Sequence, residues 1–331
     1  MIQRLLICRS AGHDPYANLA LEEALLHRVG KGELILYLWQ NKRTVVIGRN
    51  QNPWKECRTA LLEEEGGHLA RRLSGGGAVF HDLGNLNFTF LMSAEDYDLA
   101  RQLTVLERAC RSLGIPAQRS GRNDLLADDR KFSGNAFYSH AGKAYHHGTL
   151  MVDVDIEMVQ RYLSPSKAKL AAKGVDSVRS RVVNLREFVP DLTIDGLSDA
   201  LIAALAEAYA AGAHGVRLPL QSLGTDEMDL HTLREKYSSG EWLYGSKLPF
   251  TASVEDRFSW GGAEIQFNVS EGVIRAVKVY TDAMDDTLAP KLETALTECA
   301  FRIGSLRERF AALSLPAEQK ANLLSLLETA L

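Results

Sequence analysis

Four short stretches hold the residue types from which chemistry could be built: RRLSGGGAVFHD (71–82), KFSGNAF (131–137), HHGT (146–149) and SPSKAKLAAKGVDSVRSRVVNLR (164–186). Three consecutive glycines are costly in backbone entropy, so they mark a sharp turn or a close approach of main chain to something else. After Arg71-Arg72 they could cradle a phosphate or carboxylate on backbone N–H groups while a guanidinium supplies charge. They suit equally well a tight surface turn with two solvated arginines. No Lys followed by Ser or Thr comes after them, which excludes a P-loop. They precede an apolar run instead of joining a strand to a helix, which excludes a dinucleotide fingerprint. Lys131 opens a strand-like stretch with Ser133-Gly134, either as a fixed positive charge beside a ligand or as a solvated strand end. His146 and His147 are adjacent on a strand and point to opposite faces, so they do not share one metal. The simpler reading is one buried, hydrogen-bonded histidine and one facing a cleft. The run from Ser164 to Arg186 holds six basic residues (Lys167, Lys169, Lys173, Arg179, Arg181, Arg186) and one acidic (Asp176), a local charge of +5. It lacks a helical stripe and reads as a loop able to fold over a polyanion such as a triphosphate, against the plainer reading of a solvated face. It has no interleaved aromatics, so RNA binding is disfavoured.

The elements that must position these residues are legible in outline. Asp14-Pro15 opens a helix over YANLALEEALLHR, with Ala17, Leu21, Ala24, Leu25 and Arg28 on the expected stripe. LILYLWQ (34–40) and TVVIGRNQ (44–51) flank Asn41-Lys42-Arg43 and predict a hairpin. AVFHD and NLNFTFL read as strands around Leu83-Gly84. A helix follows from Leu99 to Leu113 and stops at Gly114. KFSGNAFYS and KAYHHGTLMVDVD form a second predicted hairpin around His140-Ala141-Gly142, followed by an Ala-rich helix through Leu197, Leu201 and Leu205 to Gly212. Beyond Tyr244–Pro249 the pattern changes. A strand set turns at Glu271-Gly272, and helices are expected over 288–302 and 305–330. Hairpins with interspersed helices and no regular alternation predict an α+β fold with a mixed, largely antiparallel sheet, and a boundary near residue 247.

The 331 residues allow one large domain or two ordinary ones, and 46% hydrophobic with 24% charged residues is a soluble globular balance. A net charge of −4 excludes an overall basic field for nucleic acid. Cys8, Cys57, Cys110 and Cys299 form no CxxC pair, so reduced thiols in a cytoplasmic protein are expected. The N-terminal apolar run is too short for a secretory signal, and no stretch reaches the length of a membrane span.

Jointly, RRLSGGGAVFHDLGN, GRNDL, RKFSGNAF, HHGTLMVDVD and KLAAKGVDSVRSRVVNL, in this order and spacing, resemble the bacterial A-type lipoate–protein ligases. DPYANLALEEALL, VVIGRNQNPWKEC and DRFSWGG (256–262) extend the resemblance over essentially the whole chain. It implies a catalytic domain of the biotin/lipoate ligase type over residues 1–246 and a small α+β accessory domain over 250–331. It also implies an enzyme that uses ATP with Mg²⁺ to convert lipoate to lipoyl-AMP. The lipoyl group then passes to a lysine of lipoyl domains, on 2-oxoacid dehydrogenase acyltransferase subunits and glycine cleavage H protein. By resemblance, Lys131 is catalytic and contacts both ATP and lipoate. Arg72, Gly77, Ala78, Val79 and Phe80 bind ATP. Arg72, Ser74, Gly75, Gly76, His81, His147 and Gly148 bind lipoate. Lys173, Gly174, Val175, Ser177 and Val178 cover the adenylate. Trp39, Val79 and the His81 ring would line the tunnel for the dithiolane, and Asp124 is a candidate magnesium ligand. Leu73, Phe132 and Asn135 depart from the family pattern and could reshape the pocket. An octanoyltransferase would need a cysteine near these motifs, and none is there. A biotin–protein ligase would show arginines among its glycines. A lipoyltransferase using preformed lipoyl-AMP shares the same pocket, and a non-catalytic lipoate-binding protein would not need Lys131. Lipoate and octanoate are not ranked by these residues.

Overall fold

The computed structural model describes residues 1–120, 124–164, 182–209, 220–222, 228, 230–245 and 249–330. Its strands are β1 (Arg4–Arg9), β2 (Glu33–Trp39), β3 (Thr44–Ile47), β4 (His68–Arg71), β5 (Val79–His81), β6 (Asn85–Ser93), β7 (Ala117–Ser120), β8 (Asp124–Ala127), β9 (Arg130–His140), β10 (Lys143–Met151), β11 (Leu220–Ser222), β12 (Ala252–Phe258), β13 (Gly261–Ser270), β14 (Val273–Thr281) and β15 (Cys299–Ala300).

The largest sheet runs in the order β11-β1-β2-β6-β10-β9-β8-β7. β1 is parallel to both its neighbours and the remaining pairings are antiparallel, so the sheet is mixed and largely antiparallel. Every residue of β2 is buried, because helices cover both faces. Leu34, Leu36 and Leu38 pack with Leu103, Leu106, Leu197 and Leu201 on one side. Ile35, Tyr37 and Trp39 pack on the other with Leu19, Leu25 and Tyr145. That second face carries the chemistry.

The helix α1 (Pro15–Arg28) starts where Asp14 accepts the Tyr16 N–H at 2.9 Å. The expected stripe is too narrow, however. Asn18, Glu22 and Glu23 are buried as well, and Arg28 is exposed. The β9–β10 hairpin turns through Ala141 and Gly142, whose φ of 49° and 75° suit a two-residue turn. The hairpin expected between β2 and β3 does not form. β3 lies instead in a separate three-stranded sheet, β4-β3-β5, parallel to β4 and antiparallel to β5. The polar connection that suggested a turn is partly interior. Asn41 is buried and bonded to Asn18 and His81, which leads the chain from one sheet to the next.

Residues beyond Phe250 build a further sheet, β12-β13-β14-β15, with its own core of Ile265, Phe267, Leu292 and Phe310. The helices here are shorter than expected. The first, Leu288–Leu296, gives way to β15, which pairs with β14; the second divides into Ile303–Ala312 and Ala317–Glu328, since Pro316 cannot continue the preceding turn. A seam joins this sheet to the rest. Gly76 N–H donates to Ala283 O at 3.0 Å, Thr281 N–H donates to Asn50 O at 3.0 Å, and Asn50 Nδ2 donates to Asp286 O at 2.7 Å. Lys55 lies 2.5 Å from Glu255 and 3.0 Å from Glu264.

Candidate active site

The glycine loop connects β4 to β5, and its shape is set by Arg72. The Arg72 Nε donates to Ser74 Oγ at 3.0 Å, Nη1 to Val46 O at 3.2 Å, and Nη2 to Gly75 O and Gly77 O at 2.7 and 2.8 Å. Four of its five N–H groups are therefore spent on protein, so this arginine braces the loop. Burial pushes the guanidinium down to about 10, while Tyr145 and Glu22 pull the other way. The glycines answer to neighbouring main chain. A Cβ on Gly75 would stand 2.7 Å from Met284 O, and Gly76 has φ +89°. The close approach that the triple glycine promised is thus made, in this conformation, by the 283–284 backbone of the second unit.

A buried chain of hydrogen bonds leads inward from Ser74. Ser74 Oγ lies 2.8 Å from His147 Nε2, His147 Nδ1 lies 2.9 Å from Glu22 Oε1, and Thr89 Oγ1 donates to the same oxygen at 2.7 Å. Trp39 Nε1 donates to Thr89 Oγ1 at 3.1 Å. Serine, histidine and glutamate in this order resemble a nucleophile with its base and orienter. Ser74 is fully buried, accepts from Arg72, and does not line the cavity, so the chain orients side chains instead. On the opposite face His146 contacts Gln102 Oε1 at 3.0 Å and Asn135 Oδ1 at 2.8 Å. One histidine is enclosed and the other faces the cleft, as the strand alternation predicted.

The chain borders a cavity of about 580 Å³. Leu19, Trp39, Val46, Val79, His81 and His147 line one part, and Asn87 stands between it and the rest as the cross-strand partner of both Trp39 and Thr149. Lys131, Asp124, Gly134 and Thr149 belong to the other, where Lys131 Nζ lies 2.7 Å from Asp124 Oδ1. Gly134 leaves room for that ammonium: a Cβ there would stand 3.2 Å from Nζ. The Lys131 side chain keeps 40% of its surface exposed, more than a desolvated lysine would. Of the residues singled out in the sequence, Trp39, Arg72, Gly76, Gly77, Ala78, Val79, His81, Asp124, Lys131, Asn135, His147 and Gly148 share this cavity. Ser74, Gly75 and Phe80 do not reach its wall. Lys173, Gly174, Val175, Ser177 and Val178 lie outside the described residues.

The second unit contributes Arg257, Ser259, Trp260, Gly261, Asp282 and Met284, which sequence reasoning missed as site residues. The DRFSWGG motif was the available signal, though it gave no hint of where it docks. Arg257 Nη1 lies 3.1 Å from Asp282 Oδ2, and Asp282 Oδ1 accepts the Gly262 N–H at 2.7 Å. No cluster of three His, Cys, Asp or Glu side chains suited to a metal occurs among the described residues. No helix among them is long and apolar enough to cross a membrane. All four cysteines are buried and unpaired, and none lines the cavity.

Comparison with known proteins assigns the fold and its lineage. Residues 14–206 match the lipoyl protein ligase A/B catalytic domain, and residues 247–327 match the bacterial lipoate protein ligase C-terminus. Lipoate-protein ligase A of Psychrobacter cryohalolentis is 40% identical over 315 residues, 94% of this chain and 93% of that one. The crystal structure of P. falciparum LipL1 in complex with lipoate superposes with a TM-score of 0.84 at 28% identity, covering 97% of this chain and 98% of the other. A lipoate-protein ligase A bound with ATP gives 0.61 at 28% identity over 74% and 99% of the two chains. A bipartite lipoate protein ligase from Thermoplasma acidophilum, studied with its E2 lipoyl domain, gives 0.62 at 28% over 76% and 100%. With a family match spanning more than half its length and a curated relative aligned nearly end to end, the chain belongs to the lipoate–protein ligases.

Proposed function

We propose that this ligase works through an acyl-adenylate. A lipoate carboxylate oxygen attacks the α-phosphorus of ATP, and the bond to pyrophosphate breaks. The ε-amine of an acceptor lysine then attacks the acyl carbon, the bond to AMP breaks, and the amine gives up a proton. Both transition states place charge on phosphoryl or acyl oxygens, which calls for fixed donors more than for a covalent intermediate. The observation that carries this reading is a single cavity with an apolar, ring-lined end and an ammonium at the other, bordered by the glycine loop.

In this reading the acyl chain lies along Trp39, Val46 and Val79, and its carboxylate points toward Lys131. Lys131 bridges the acyl oxygen and the α-phosphate, exchanging its ion pair with Asp124 for the substrate's anions. The Gly77–Val79 main chain takes the nucleotide, with Arg72 holding the loop in shape. Asp124 would contact Mg²⁺ arriving with the triphosphate, where the ion neutralises phosphate charge; a cavity with one or two carboxylates suits that ion, which keeps several waters. The 164–185 loop covers the adenylate against water. The two parts of the chain correspond to domains 1–246 and 250–331, a division supported by their separate cores. Acceptors are lipoyl domains of 2-oxoacid dehydrogenase acyltransferase subunits and glycine cleavage H protein. Four unpaired cysteines suit a reducing, cytoplasmic setting. Lipoate-dependent ATP–pyrophosphate exchange tests the proposal: its presence establishes adenylation, and transfer from synthetic lipoyl-AMP without exchange would leave a lipoyltransferase.

A further inference from the structure

The mechanism above leaves one hydrogen-bond donor of the cavity unused. Asn87 lines the cavity while only 2% exposed, and its Nδ2 has no partner among the described residues. The amide is oriented from its other side: Asn87 Oδ1 accepts from Asn85 Nδ2 at 3.0 Å, which leaves the N–H groups for the cavity. A buried donor without an acceptor is costly, so the site calls for an oxygen brought by a ligand or by water.

The register of the sheet says which oxygen that is. Asn87 is paired with Trp39 of β2 on one side and with Thr149 of β10 on the other. Residues directly opposite in an antiparallel pair share a face, with their Cβ atoms about 5 Å apart. Beyond Thr149 lies Gly134, whose N–H donates to Thr149 Oγ1 at 3.3 Å and which pairs in turn with Asp124 of β8. Trp39, Asn87, Thr149, Gly134 and Asp124 thus form one row across five neighbouring strands, and all of them border the cavity. Lys131 Nζ stands over the same row: a Cβ on Gly134 would be 3.2 Å from it and 4.0 Å from Thr149 Oγ1. The Asn87 amide therefore falls between the indole and the ammonium. An acyl chain lying against Trp39, with its carboxylate toward Lys131, ends its hydrocarbon at that point. Its acyl oxygen then lies over Thr149, in reach of both donors.

We propose that Asn87 is a catalytic residue of the acyl-transfer step, its Nδ2–H joining the Lys131 ammonium in a two-donor site for the acyl oxygen. This rests on the acyl-adenylate reading and says how its second half is catalysed. The two half-reactions load that oxygen in opposite senses. As the carboxylate attacks the α-phosphorus, charge leaves the acyl oxygens, and a further donor there gains little. As the acceptor amine attacks the acyl carbon, a C–N bond forms and the carbonyl π pair moves onto the oxygen. That pair returns, the bond from the acyl carbon to the AMP oxygen breaks, AMP departs with its electrons, and the extra proton on nitrogen passes to solvent. Only this step builds an oxyanion, so it gains most from Asn87. Lys131, which also meets the α-phosphate, serves both steps.

The test separates the two half-reactions in the full chain carrying Asn87→Leu, which is close in volume and has no donor. Lipoate-dependent ATP–pyrophosphate exchange reads the first. Single-turnover transfer from synthetic lipoyl-AMP to a recombinant lipoyl domain, followed by mass, reads the second. Transfer should fall by roughly 10²-fold, the loss typical of one oxyanion donor, while exchange falls only several-fold. Lys131→Ala should lower both strongly. Equal losses in the two assays overturn the proposal, because Asn87 would then be part of the pocket's shape alone. An undiminished transfer rate overturns it too, the Nδ2 then serving water. Should Asn87→Leu fail to fold by circular dichroism, Asn87→Ser, whose side chain is too short to reach the acyl oxygen, carries the same comparison. Transfer without exchange in the wild type would end the adenylation reading and leave Asn87 to be judged on transfer. Exchange without transfer would overturn this inference alone, and the absence of both would bring down the ligase reading with it.

Discussion

The two ends of the cavity are built on opposite plans. Around Trp39 the side chains hold one another before any ligand arrives: Glu22 fixes His147 and Thr89, Thr89 fixes Trp39, and His147 reaches Arg72 through Ser74. Around Lys131, among the described residues, an ion pair with Asp124 joins two part-exposed side chains. The first plan preorganises a shape, and the second leaves a charge ready to change partners. Binding selectivity and chemistry are therefore separable by mutation.

The largest effect should come from the buried carboxylate. Glu22→Ala removes the acceptor shared by His147 and Thr89 and takes away a buried negative charge whose field favours the Arg72 cation. It should cost about 3–5 kcal/mol of stability in urea unfolding, as breaking a buried pair does. Glu22→Gln keeps an oxygen for both donors and should cost clearly less; equal losses would break the account of that end. Lys131→Ala should do the reverse. Its unfolding midpoint stays near wild type, whereas the exchange rate drops by about 10²–10³-fold, the loss typical of one oxyanion donor. Wild-type turnover in that variant would remove Lys131 from the mechanism.

Acid sharpens the contrast. His81 and His146 are both held down to about 3 by burial, against about 6.5 for an unfolded histidine. The unfolded chain binds more protons between those values. Their stabilising contribution is complete above pH 6.5 and shrinks as pH falls toward 3, by up to about 1.4 kcal/mol per pH unit for each ring. Urea midpoints between pH 7 and 4.5 measure this, and Lys131→Ala should leave the slope unchanged. The smallest effect concerns the basic loop, outside the described residues: Lys173→Glu should raise acceptor-free pyrophosphate release a few-fold by letting water reach the adenylate.

Much of this was legible before any coordinates. Turn residues with positive φ announced the β9–β10 hairpin and the Glu271-Gly272 turn, because local backbone rules decide such features. Family motifs brought the glycine loop, Asp124, Lys131 and the His147-Gly148 strand to one cavity wall. Three things escaped. Glu22 sits among charged neighbours in α1, and no local pattern says which carboxylate turns inward. Asn41 looked like turn chemistry but serves as an interior bridge between sheets. Arg257 and Asp282 reach the cavity only because the sheet β12–β15, with its own core, docks on Gly75 and Gly76, a contact more than 200 residues away along the chain.

The four cysteines have one further consequence. A dithiolane is a strained disulfide and would undergo exchange with any thiolate nearby, trapping the enzyme as a mixed disulfide. Burial pushes Cys8 up to about 11 and Cys57 and Cys110 up to about 12, and no cysteine borders the cavity. The protein can thus carry an oxidised, sulfur-reactive cargo through turnover while its own sulfur stays chemically silent.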